Sequence, residues 1–131
     1  MIISKLLMTV SLMAADPASI SAMKWEKRVL LVSAPNANDP SLNDQRRIIA
    51  RWRSGAAERD ITIVEVVGNN VVGVSNSAAM LRQQYRLSTA NFAVVLIGKD
   101  GGSKLRGTRP IAAATLEEVI DAMPMRRGGK R

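Results

Sequence analysis

The apolar positions of the chain fall into short, continuous runs separated by polar turns, and three of these runs have the β-rich composition of buried strands. KRVLLVSA, about Lys27 to Ala34, is continuous rather than alternating, as expected of a central strand covered on both faces. PNANDP breaks it. Asp39 followed by Pro40 marks a helix start, with a side-chain oxygen for the free amides and a proline already set for the first turn. From there Leu42, Ile48, Ile49 and Trp52 share one helical face, Arg46, Arg47, Arg51 and Arg53 fall largely outside it, and Gly55 lies near the end.

RDITIVEVVG predicts a second strand over about Asp60 to Val67, GNNVVGVSNSA a loop, and AAMLRQQYRL a short helix to about Arg86. NFAVVLIG is a third strand. KDGG turns it tightly into a short fourth, SKLRG, because Asp-Gly supplies the positive φ angles of such hairpins. Thr115, with Glu117 and Glu118 behind it, opens a last helix to about Ala122, and Pro124 ends it. The order is β-α-β-α-β-β-α. A right-handed first crossover makes strands one and two parallel, and the terminal hairpin adds antiparallel strands. The expected fold is therefore α/β: a four-stranded mixed sheet with helices on both faces, in thioredoxin-like order.

The first 22 residues stand apart. One early Lys5, an apolar run from Leu6 to Ala15 and then small residues give the layout of an export signal, too short to span a bilayer, with Ser19-Ile20-Ser21 as the best cleavage position. The expected organisation is a signal over 1–22, a thioredoxin-like domain over 23–127 and a basic tail over 128–131. Export places the domain in the periplasm or outside the cell; translation from Met23 would leave it in the cytoplasm. No integral membrane segment is expected.

Composition narrows the chemistry. At 131 residues and 47% hydrophobic content the chain fits one domain with an ordinary core, and with only 3% aromatic residues that core is built from Leu, Ile, Val, Ala and Met. It contains no Cys and no His, which removes thiol nucleophiles, disulfides, imidazole acid/base work and the ordinary zinc ligand sets. No cofactor or metal is implied. Lys and Arg number 19 against 11 Asp and Glu, a net charge of +8. Residues 1–22 contain Lys5 and Asp16 alone among charged residues, so the basicity belongs to the folded part. Such charge attracts nucleic acid, anionic lipid or acidic glycans without specifying one.

Three stretches, RVLLVSAPNANDPSLNDQ, FAVVLIGKDGGSKLR and IDAMPMRR, resemble the domain of unknown function 4174 family, over about Lys24 to Arg127. The resemblance implies a thioredoxin-like, peroxiredoxin-related fold, found in small secreted bacterial proteins and as a module of animal extracellular proteins of the sushi-repeat and coiled-coil-domain-containing types. Redox activity is suggested for relatives, but no catalytic residue carries over. Redox versions of the fold hold a thiolate in the loop or first helical turn after strand one. Here that window is Pro35 to Ser41, which holds no thiol, and the cis-proline position before strand three is occupied by STAN.

Two groups of residues remain as candidate sites. Asn36, Asn38 and Asp39 form the opening loop, to which strand four is expected to return Arg106 and Arg109; the competing and stronger reading is a capped turn with Asp39 on the free amides. Lys99, Lys104, Arg126 and Arg127 are expected to gather at the opposite end, where they would engage sulfate, phosphate or carboxylate groups, or else form a solvated surface at a helix C-terminus. Glu65, the odd residue in an apolar strand, reads as an arginine partner rather than an acid/base group, and Trp25 and Trp52 as core or seam packing. The leading expectation is a non-enzymatic, exported domain binding an anionic glycan, a lipid surface or an acidic protein. The competing one is an enzyme or partner-dependent redox subunit using Asp, Glu, Lys or Ser. Nucleic acid is disfavoured, since no recognition module is visible.

Overall fold

In the computed structural model, which describes residues 18–124, one mixed sheet has the strand order β3-β2-β1-β4-β5. The central strand β1 (Arg28–Ala34) is buried at all seven positions. It pairs in parallel with β2 (Ile61–Val67), from Arg28 opposite Ile61 to Ala34 opposite Val67. On its other side it runs antiparallel to β4 (Ala93–Ile97), with Val29 opposite Ile97 and Ser33 opposite Ala93. β5 (Ser103–Gly107) closes that side as an antiparallel edge, with an irregularity between Leu96 and Ile97.

The fifth strand corrects the expected count of four. β3 (Asn70–Val72) lies in the stretch expected to be a loop and pairs antiparallel with β2, Val71 opposite Val66. Gly68 adopts φ +58° and, with Asn69, folds the chain back within two residues, which a residue with a Cβ would resist.

Alternation along the strands builds two cores. Val29, Leu31, Val64, Val66, Val95 and Ile97 meet Leu81 and Tyr85 on one face, beneath α3 (Ala78–Tyr85). Leu30, Val32, Val94 and Leu96 meet Leu42, Trp52, Leu116 and Ile120 on the other, beneath α1 (Pro40–Arg51), α2 (Arg53–Glu58) and α4 (Ala113–Asp121). The first helix, expected to run unbroken to Gly55, divides at Trp52, whose indole Nε1 donates to Glu117 Oε2 at 2.6 Å. The ring lies over Gly55, where a Cβ would overlap it. Arg59 adds a two-pronged bond to Asp121, 3.1 and 3.0 Å, so α2 and α4 are tied together by charge as well as packing. The last helix begins at Ala113, before Thr115, and its N-cap Ala112 has no side-chain cap.

Gln45 is fully buried and its amide pairs both ways with Ile111: Nε2 donates to the Ile111 carbonyl at 3.1 Å and Oε1 accepts from the Ile111 N–H at 2.7 Å. This clamps the segment entering α4 onto α1. Packing also begins ahead of the expected start at residue 23, since Ile20 is only 6% exposed within the first core and its N–H donates to Asn76 Oδ1 at 3.0 Å. Residues 1–17 of the expected export signal, together with Arg126, Arg127 and the tail over 128–131, lie outside the described residues. Among the described residues no helix is long and apolar enough to cross a membrane.

Candidate functional site

The pairing of the strands puts the N-terminal end of β1, the C-terminal end of β4 and the start of β5 at one end of the sheet. There the chain between β4 and β5 makes the expected tight turn: Gly98 N–H donates to the Gly102 carbonyl at 2.8 Å, and Gly101 takes φ +86°. Asp100 Oδ1 accepts from the Gly102 N–H at 2.9 Å and Oδ2 from Lys104 Nζ at 2.7 Å. The Lys104 ammonium, and after it the Gly102 N–H, hold the Asp100 carboxyl below the usual carboxylate range.

Two cations lie deeper. Lys99 is 6% exposed and its Nζ is 3.0 Å from Asp60 Oδ2. Arg28, 1% exposed, donates from Nη1 to the Arg59 carbonyl at 2.7 Å and from Nε to Met123 Sδ at 3.4 Å. Beside them Trp25 is 59% exposed, with its N–H on the Lys99 carbonyl at 2.6 Å and the Lys24 ammonium 5.5 Å from its ring centroid. Trp25 has φ +72° and Asp60 φ +54°, so two of the three non-glycine residues with left-handed backbone among those described flank this place. Trp25, Met123 and Pro124 join Arg28, Lys99, Lys104 and the carboxylate-bearing Asp100 in lining a cavity of about 280 Å³.

Lys99 and Lys104, paired in the sequence expectation, are thus brought together, and each already faces an aspartate. Arg126 and Arg127, expected beside them, follow directly on Pro124 in the chain but are not among the described residues. Arg28 and Trp25 were not expected here. Trp25 corrects the expectation of core or seam packing, because its ring stands in solvent rather than between elements; Trp52 meets that expectation.

The opening loop uses its own groups on itself. Asn36 Oδ1 accepts from Asn38 N–H at 2.9 Å, and Asp39 Oδ1 caps α1 by accepting from the Ser41 and Leu42 amides at 2.9 and 3.2 Å. Arg106, expected beside this loop, instead turns its guanidinium to the carbonyls of Tyr85 and Arg86 at the C-terminus of α3, where free acceptors and the helix dipole favour it. Arg109 is exposed, and no hydrogen bond or ion pair joins it to Asn36, Asn38 or Asp39. Glu65 takes both ends of the Arg46 guanidinium, 2.6 and 2.9 Å, as an ion-pair partner. A wider cleft of about 540 Å³ lies between α1 and the start of α4, but its arginines are exposed and Arg47 is engaged by Asp44. Among the described residues no acidic cluster is arranged to hold a metal ion.

Comparison with known proteins agrees with this architecture. Thioredoxin peroxidase I of Plasmodium yoelii superposes with a TM-score of 0.58 at 16% identity, covering 82% of this chain and 79% of that one. Plasmodium yoelii Prx1a, modified at its N-terminus, gives a TM-score of 0.56 over 83% and 80%. The fold is thioredoxin-like. Human sushi repeat-containing protein SRPX is 28% identical over 92% of this chain, and zebrafish coiled-coil domain-containing protein 80 is 22% identical over 82%. The chain spans only 28% and 15% of those two relatives. Residues 19–128 match the family model described as domain of unknown function (DUF4174), and the chain belongs to that family.

Proposed function

We propose that the protein is an exported, non-catalytic thioredoxin-like domain that binds an anionic partner at the basic end of its sheet. The observation that carries this reading is the placement of two buried cations, Arg28 and Lys99, behind one cavity with Lys104 at its wall. Removing a cation from water costs several kcal/mol, which the Arg59 carbonyl at Arg28 and the Asp60 carboxylate at Lys99 help to offset. Arg28, Lys99 and Lys104 border the recess with one carboxylate, that of Asp100, and cations facing a low-dielectric recess attract an anion more strongly than the same charges on open surface. The sequence adds Arg126 and Arg127 immediately beyond Pro124. Export rests on the layout of residues 1–22. A chain without cysteine performs no thiol–disulfide exchange, and the loop that would hold the thiol spends the Asp39 carboxylate on capping α1.

Heparin chromatography tests the reading, with heparin as a general polyanion. The protein is expected to be retained at low ionic strength and released by salt, and Lys104→Gln to elute at lower salt while Lys104→Arg elutes with the wild type. Absence of retention at low salt would overturn anion binding, and identical elution of Lys104→Gln and wild type would overturn its location.

A further inference from the structure

We propose that the cavity at this end takes a small planar apolar anion, an aryl carboxylate or sulfonate, with its ring against Trp25 and its charged group at Lys104. This inference rests on the anion-binding reading above and narrows the ligand from charge alone to charge on a flat apolar body. Ligand cavities generally run from roughly 300 to 1,000 Å³, so one of about 280 Å³ suits a single small molecule rather than a polymer segment.

The walls divide the ligand into two parts. Trp25, Met123 and Pro124 offer apolar surface, and an aromatic ring stacks on an indole with an offset that a bare inorganic anion cannot use. The cations have unequal freedom. Arg28 donates to Arg59 and Met123 and Lys99 to Asp60, so these two contribute mainly field. Lys104 is the accessible donor. Its partner Asp100 keeps the Gly102 N–H on Oδ1, so Lys104 can turn to an incoming anion without leaving that carboxylate bare.

Trp25 supplies the second line of support. A bulky side chain at φ +72° carries backbone strain that glycine would not, and with Trp25 59% exposed the burial of its ring offsets that strain only in part. Hydrogen bonding of its N–H to the Lys99 carbonyl fixes the strained turn in place and couples the ring to the buried cation. An indole held in this way, half in solvent beside positive charge, is a preformed stacking surface.

The two tryptophans give a direct readout by NMR, because each contributes one indole N–H signal and that of Trp52 is fixed on Glu117, away from the cavity. Titration of the full chain with 2-naphthalenesulfonate is expected to move the Trp25 signal to saturation and leave the Trp52 signal unchanged. Neutral 2-naphthalenemethanol is expected to bind at least tenfold more weakly, and inorganic sulfate to give no saturable shift of the Trp25 indole. Lys104→Gln should weaken the sulfonate at least fivefold, and Trp25→Ala should remove saturation at the backbone amides of the β4–β5 turn. Equal affinity for the sulfonate and the neutral alcohol, or saturable shifts confined to α1 or Trp52, would overturn the proposal. Retention on heparin without naphthalenesulfonate binding would overturn this inference and leave the broader reading standing; loss of both would overturn both.

Discussion

At the end of β1 that leads into Pro35, two polar side chains of the loop are occupied by near neighbours: Asn36 by the amide of Asn38, Asp39 by the amides of Ser41 and Leu42. At the end that begins with Arg28, two cations are buried against partners distant in sequence, an indole stands in solvent, and the backbone twice enters a left-handed conformation without glycine. The first arrangement is one in which local bonds and stability coincide. The second retains strain and charge that a fold selected only for stability would shed. One end of the sheet is thus held by local bonds and the other by bonds that are not local, and the proposed site lies at the second.

Substitutions at the two ends should separate along that line. The largest effect is expected at Gln45, whose replacement by Leu leaves the buried N–H and carbonyl of Ile111 unpaired; a loss of about 2–4 kcal/mol in chemical denaturation is expected, with heparin elution unchanged in the folded fraction. Trp25→Gly should act in the opposite sense. It relieves a left-handed backbone worth roughly 1–2 kcal/mol, against about 0.5–1 kcal/mol for the lost contact with Lys24 and a similar amount for glycine's unfolded-chain entropy, so thermal stability should hold or rise slightly while naphthalenesulfonate binding disappears. A melting temperature no higher than that of Trp25→Ala, which keeps the Cβ, would mean that the turn is not strained. Asp39→Ala removes a helix cap and should cost about 1 kcal/mol with no change in ligand binding, whereas a loss of binding would return function to the opening loop. The smallest effect is expected from acid. Because the Asp100 carboxyl titrates below its ordinary value in the folded state, its pairing with Lys104 contributes above the unfolded pKa near 3.9 and is lost as pH falls through the lower folded value. Asp100→Asn should therefore flatten only the acid limb of a stability profile below about pH 4.

The parts of the fold legible in the sequence are those with local causes. Asp39 and Pro40 announce α1 whatever surrounds them, and KDGG announces the β4–β5 hairpin. β3 was locally marked too, by Gly68-Asn69 between valines, but three residues at a sheet edge are a weak signal beside the surrounding polar residues. The division of the first helix at Trp52 has its cause in Glu117, and the role of Gln45 in Ile111, each more than sixty residues away. Nothing in either local sequence reports such a partner. At the candidate site, strand direction alone brings Lys99 and Lys104 to one end. Arg28 reads as the polar margin of an apolar run, and a left-handed tryptophan has no signature at all, since that conformation is read from glycine or asparagine. Arg106 shows the limit of reasoning from strand direction, because its guanidinium is taken by the carbonyls that end α3, acceptors whose position strand direction does not report.

Trp25 and Pro124, close to the first and last described residues, border the same cavity. Two segments from opposite ends of the described chain thus share the wall of one recess. Fraying at either end of the described chain would therefore dismantle the recess while leaving the central strands paired.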